Sequence, residues 1–228
     1  MKKSLIILGI LALILVGGIY SKRKFYDPKH QFAEAKSEVK KLEDGNQIQN
    51  GDLIFQTSLS RQSKAIQLAT KSKYSHCGLI FRKENDSKNW YVLEAIQPVK
   101  WTPLDKWIAR GENGHYVIKR VVSDPMLPEA RLEKLREVGK RFLGKSYDLT
   151  FEWTDDKIYC SELIWKVYKE TTGIEIGNLQ KLSDFDLTNE IVKNKMNERY
   201  GNKIPINEIV ISPSSIFESK NLKTIKEN

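Results

Sequence analysis

The chain has 228 residues, of which 40% are hydrophobic, enough for one well-filled core and too few for two comfortable ones. Its formal charge of +9 gathers at the amino terminus, where five of the 38 basic residues flank one apolar segment and leave 33 basic against 29 acidic groups elsewhere. This mild basicity suits an anionic surface such as a bacterial wall or phospholipid headgroups. It lacks the Arg-rich stripe with interleaved aromatics that nucleic acid needs, so nucleic acid is excluded as a partner.

Residues 1–24 stand apart: Met1-Lys2-Lys3, an uncharged apolar run from Leu5 to Tyr20, then Ser21-Lys22-Arg23-Lys24. The run is roughly 24 Å long as a helix, between a signal-peptide core and a full span. No small-x-small site and no lipid-accepting Cys follows it, and basic residues do, so an uncleaved transmembrane anchor is favoured over a removed signal. Lysines and arginine at both ends barely orient it.

Residues 25–50 are polar, with a weak helical pattern at Phe32, Ala35, Val39 and Leu42, and read as a juxtamembrane helical spacer. The folded domain is then expected over residues 51–228. Asp52 to Gln56 reads as a strand and Ser60 to Lys71 as a helix. Tyr74 to Phe81 and Trp90 to Ile96 read as a β-hairpin around the polar stretch 82–89. Pro103 to Arg110 predicts a short helix, His115 to Val122 a strand, and Pro128 to Leu143 an amphipathic helix ending at Gly144. Ser161 to Thr171, stopped by Gly173, is a helix; Thr188 to Tyr200 is another; Glu208 to Ser212 is a strand; Pro213 to Leu222 is a last helix. An antiparallel sheet mixed with helices follows.

Cys160 falls at a helix start, where unpaired backbone N–H groups and the helix dipole favour thiolate over thiol. The same N–H groups suit the oxyanion of a tetrahedral intermediate. In the hairpin, a turn centred near Asn85 sets His76 opposite Glu94, on one face with Tyr74, Gly78, Ile80, Trp90 and Val92. Glu94 would then orient the imidazole and stabilise its cation. Alternation sends Cys77 to the other face with Leu79 and Phe81, as core. On that placement a Cys160 near His76 and a Cys77–Cys160 disulfide exclude each other. His30, in the spacer, and His115, at a strand start, are expected to be exposed. No Cys-x-x-Cys or His-x-x-x-His spacing and no phosphate-cradling glycine loop occurs, so neither a metal nor a cofactor is expected.

Five motifs now stand in order: Gly51-Asp52-Leu53-Ile54-Phe55, Tyr74-Ser75-His76-Cys77-Gly78-Leu79-Ile80, Val92-Leu93-Glu94-Ala95, Tyr147-Asp148 and Tyr159-Cys160-Ser161-Glu162-Leu163. Together they resemble the YiiX/YebB-like cysteine hydrolases, circularly permuted relatives of NlpC-type cell-wall peptidases, over roughly residues 50 to 220. The resemblance implies an α+β papain-like fold in which the histidine strand precedes the cysteine helix. It implies Cys160 as nucleophile, His76 as base and Glu94 as orienting residue, with Asp52, Tyr147 and Tyr159 lining or supporting the cleft. Cys77 departs from the family, where an apolar residue such as Val is expected. The implied activity is hydrolysis of amide bonds in small peptides, such as peptidoglycan stem peptides, outside the cytoplasm. Two other readings stay open: a lipid acyl hydrolase or acyltransferase of the lecithin retinol acyltransferase type, and a non-catalytic wall-binding module stapled by Cys77–Cys160.

Overall fold

The computed structural model describes residues 28–122 and 127–228. The apolar segment 1–24 lies outside the described residues, among which no helix is long and apolar enough to cross a membrane. In chain order the first half runs α1 (Pro28–Asp44), β1 (Leu53–Gln56), α2 (Ser63–Thr70), β2 (His76–Lys83), β3 (Asp86–Glu94), β4 (Lys100–Pro103), α3 (Leu104–Ala109) and β5 (Val117–Val121). The second half runs α4 (Glu129–Lys140), β6 (Ser146–Tyr147), β7 (Lys157–Ile158), α5 (Cys160–Thr172), β8 (Gln180–Lys181), α6 (Glu190–Tyr200), β9 (Ile209–Val210), α7 (Pro213–Phe217) and β10 (Leu222–Glu227).

Six strands form one antiparallel sheet in the order β10-β5-β1-β2-β3-β4. Its central strands are apolar on both sides because both faces are covered, and period-two alternation sorts their residues between two cores. Leu53, Phe55, Cys77, Leu79, Phe81 and Leu93 meet Leu135 and Val138 of α4 and Leu163, Ile164 and Val167 of α5. On the reverse face, Ile54, Ile80, Val92 and Ile118 meet Ala35 and Leu42 of α1 and Leu104 and Trp107 of α3.

Three expectations are corrected. The spacer is no spacer: α1 buries Ala35 and Leu42 against the sheet, so the folded unit begins before residue 51. A polar helix with a narrow apolar stripe needs only a shallow groove to dock, and α3 supplies one wall of it. The last helix stops at Phe217, opened by Pro213 and by Ser212, whose Oγ accepts from the Ser215 amide at 3.1 Å. Leu222–Glu227 then returns as an edge strand on β5, with an exposed lysine at 223 and a bulge before Lys226, features that blur its alternation and protect the edge. Finally, β4 is an unforeseen strand pairing with β3.

Candidate active site

Hairpin register decides where the imidazole meets a carboxylate. Next to the turn Lys83 pairs with Asp86, but a bulge follows, and from Arg82↔Trp90 onward the numbers of paired residues sum to 172. Glu94 therefore stands beside Gly78, whereas His76 lies two residues further along and pairs on its other side with Gln56. The expected direct opposition of His76 and Glu94 is thus off by one diagonal step. An even shift preserves parity, so both side chains still share a face, and the diagonal neighbour is within reach of long side chains. Gly78 clears the path: a Cβ there would lie 2.2 Å from Val92 Cγ1 and 3.6 Å from Glu94 Cβ.

Glu94 is completely buried and its two oxygens are held by four donors. His76 Nε2 approaches Oε2 at 2.6 Å, Trp107 Nε1 donates to Oε2 at 3.0 Å, Arg110 donates to the same oxygen, and Thr102 Oγ1 donates to Oε1 at 2.5 Å. Burial alone would raise this carboxyl, but the hydrogen bonds and charges of His76 and Arg110 outweigh it and hold the pKa at about 2. Burial likewise works against a charged His76, yet hydrogen bonds to Cys160 and Glu94 lift the imidazole to about 9. The Trp107 indole stacks on the ring, centroids 5.9 Å apart. With Nε2 committed to Glu94, Nδ1 is left for sulfur.

That sulfur belongs to the first residue of α5. Tyr159 is its extended N-cap (φ −107°, ψ 169°), and Gly173 ends the helix in the left-handed region (φ 73°) that a side chain would strain. A hydrogen bond from Cys77 is the largest influence lowering the Cys160 thiol well below its ordinary range; burial opposes, and His76 adds a hydrogen bond and its positive charge. Imidazole and thiol therefore meet at the end of β2, in position to share a proton as thiolate and imidazolium.

Cys77 was expected to point away from Cys160. Alternation does send it to the face opposite His76 and into the core, but α5 packs on β2 and its first residue, Cys160, is buried in that same core. Cys160 thus touches His76, the first residue of β2, and Cys77, the second. Both cysteines are free thiols.

Tyr147 and Tyr159 line a cleft at Cys160 and Asp52 does not. The Tyr147 hydroxyl accepts from Gln62 Nε2 at 2.9 Å, and Arg199 of α6 donates to the Gln62 carbonyl. Tyr159 Oη accepts from the Ile211 amide at 3.0 Å, which ties the start of α5 to the segment after β9. Asp52 sits before the opposite end of β1, where its carboxylate takes Arg120 Nε at 2.6 Å and the Gln49 amide at 2.9 Å. Burial, the stronger influence, raises its pKa in spite of Arg120. His30 is exposed in α1 and His115 is at the chain's carboxyl-terminal edge, near Asn228.

Thr102, Trp107, Arg110, Gln62 and Arg199 were not anticipated. Trp107 and Arg110 share a helix face at a spacing of three, but nothing local shows that this face folds over Glu94. A cavity of about 90 Å³ opens beside Cys160 with an almost wholly apolar lining that includes Ile66, Phe151, Leu182, Val192, Met196 and Ile211. Among the described residues no three His, Cys, Asp or Glu side chains converge as a metal site would require. Glu94 in particular has its oxygens engaged by protein donors.

The family described as permuted papain-like amidase enzymes, YaeF/YiiX, C92, matches residues 47–226. The chain is 49% identical over 179 residues to the uncharacterised protein YiiX of Escherichia coli K12, across 78% of this chain and 86% of that one. It also resembles a crystal structure of YiiX from Escherichia coli O157:H7, described as a metalloprotein, with a TM-score of 0.75 and 49% identity, over 80% of this chain and 98% of that one. The six-stranded antiparallel sheet, with the histidine strand before the cysteine helix, is therefore the permuted papain-like α+β fold. The chain belongs to the YaeF/YiiX C92 family of permuted papain-like amidases.

Proposed function

We propose that the chain is a cysteine amidase that hydrolyses an acyl–nitrogen bond in a small peptide or acylated amine whose acyl side is apolar. The observation that carries this reading is the adjacency of a lowered thiol, a raised imidazole and an apolar cavity that opens at the sulfur. The thiolate attacks the carbonyl carbon, and the oxyanion is received by the unpaired amides at the start of α5 and by the Tyr147 hydroxyl. Gln62 occupies a lone pair of that hydroxyl, which leaves its proton to donate; Arg199 fixes Gln62. The His76 imidazolium gives its proton to the leaving nitrogen, and the amine departs. Neutral His76 then takes a proton from water, hydroxide attacks the thioester, and the acid leaves with thiolate and imidazolium restored. No step runs through a metal.

A peptidoglycan stem peptide carries polar groups that the cavity lining would leave unpaired, at a cost of about 1–3 kcal/mol per group. The same lining favours a second reading, hydrolysis or transfer of a lipid acyl group, because a methylene chain would fill it and each buried CH2 contributes about 0.8 kcal/mol. The wall-binding module stapled by a disulfide draws no support from two free thiols. We further propose that residues 1–24 anchor the domain at a membrane, on its outer side, and protease accessibility on intact cells tests this. For the reaction itself, the purified chain is incubated separately with muropeptides, with N-acyl amino acids of increasing chain length and with phospholipids, and products are read by mass spectrometry. Amine release that rises with acyl length supports the reading. Cleavage of muropeptides alone would overturn the apolar requirement, and fatty-acid release from esters alone would overturn amide specificity.

A further inference from the structure

The mechanism above has no use for Cys77, yet this free thiol, the second residue of β2, shares a core cluster with Cys160, the first residue of the helix packed on that strand. Cys160 lines the cavity, whereas Cys77 is in the core and does not line it. Cys160 therefore borders both a cavity that a small solute can enter and the core that holds a second sulfur. Both thiols are completely or almost completely buried, at 0% and 2% exposure, in the same core cluster. α5 packs directly on β2, so the segments that carry the two sulfurs are already neighbours.

We propose that Cys77 is a resolving cysteine, making the site a reversible redox switch for hydroperoxides. The Cys160 thiolate attacks the terminal peroxide oxygen; the O–O bond breaks and the alkoxide or hydroxide leaves as alcohol or water with a proton from His76. Cys160 is now a sulfenic acid. The Cys77 sulfur attacks it, the S–O bond breaks, and the departing hydroxide takes the Cys77 proton as water. Two thiols and one hydroperoxide thus yield one disulfide, one alcohol and one water, and a dithiol reductant returns the two electrons. Timing follows from the charges. Burial and the neighbouring Cys160 charge hold Cys77 protonated in the resting enzyme. Conversion of the thiolate to sulfenic acid removes that charge and frees Cys77 to attack at the moment it is needed.

The inference rests on Cys160 being the reactive thiol and is independent of the substrate. Full-length protein is treated with a few equivalents of hydrogen peroxide, alkylated without reductant, and weighed intact. The expected product has lost about 2 Da, resists alkylation at both positions, and recovers nearly all of its activity with dithiothreitol. In Cys77→Val, the same treatment is expected to add about 32 or 48 Da at Cys160, and the share of activity recovered by dithiothreitol drops about tenfold. Wild-type protein that goes straight to the heavier acids, or that forms only intermolecular disulfides, overturns the switch. Fast oxidation of Cys160 in both proteins would still leave the nucleophile assignment standing, whereas no oxidation in either would remove both.

Discussion

Near the two ends of β1 lie two buried carboxylates, each beside an arginine, with opposite fates. Asp52 is closed off: Arg120 and the Gln49 amide engage it, and burial still dominates so that its pKa rises. Glu94 has Arg110 too, but with Trp107, Thr102 and His76 added it stays a carboxylate down to about 2. The difference lies in what the charge is connected to. Asp52 ends in a pair that stabilises the fold, whereas Glu94 passes its charge through an imidazole to a sulfur that borders an open cavity. A buried acid with an arginine is therefore a poor guide to a site, and a buried acid behind an imidazole whose second nitrogen faces a nucleophile is a good one.

Substitutions should separate the two ends in a set order. Cys160→Ala is expected to abolish turnover, by about 10⁴-fold or more, with the melting transition little changed; residual turnover near wild type would end the nucleophile assignment. His76→Ala should cost a comparable factor, about 10³- to 10⁴-fold, and should return the pH profile of Cys160 alkylation toward an ordinary thiol near 8.5. Glu94→Gln should lower kcat by about 10²-fold, because the ring keeps its place on Trp107 while losing the charge behind it. Asp52→Asn should do the reverse, leaving kcat/KM within about twofold while costing about 3 kcal/mol of stability by denaturant unfolding. A large activity loss in Asp52→Asn with unchanged stability would erase the contrast.

The contrast also has a pH signature. In the proposed mechanism His76 must be protonated to release the leaving nitrogen, so the rate should fall as pH rises through about 9, and in Glu94→Gln that limb should move down toward the usual 6.5. Because the Glu94 pKa is depressed on folding, its contribution to stability is present above about 4.5 and is lost as pH falls toward 2. The wild-type advantage over Glu94→Gln in melting temperature should shrink across that window. Among the cleft substitutions the smallest loss is expected for Arg199→Lys, about three- to tenfold in kcat, since it loosens the Gln62 that holds Tyr147.

Much of this was legible in the chain itself wherever the governing rule is local. A helix start before Leu163 and a stop at Gly173 place Cys160 at the amino end of α5, and alternation along β2 and β3 assigns His76 and Glu94 to one face whatever the exact pairing. Parity survives a two-residue error in register because side chains repeat every second residue. Only the folded molecule decided the rest. A bulge beside the turn fixed the diagonal approach of His76 to Glu94. The packing of α3 brought Trp107 and Arg110 over the carboxylate, the docking of α5 set Cys160 against Cys77, and the stripe on α1 found a groove. Each of these joins segments far apart in the chain, where one-dimensional periodicity carries no distance and close packing of the core selects the partner.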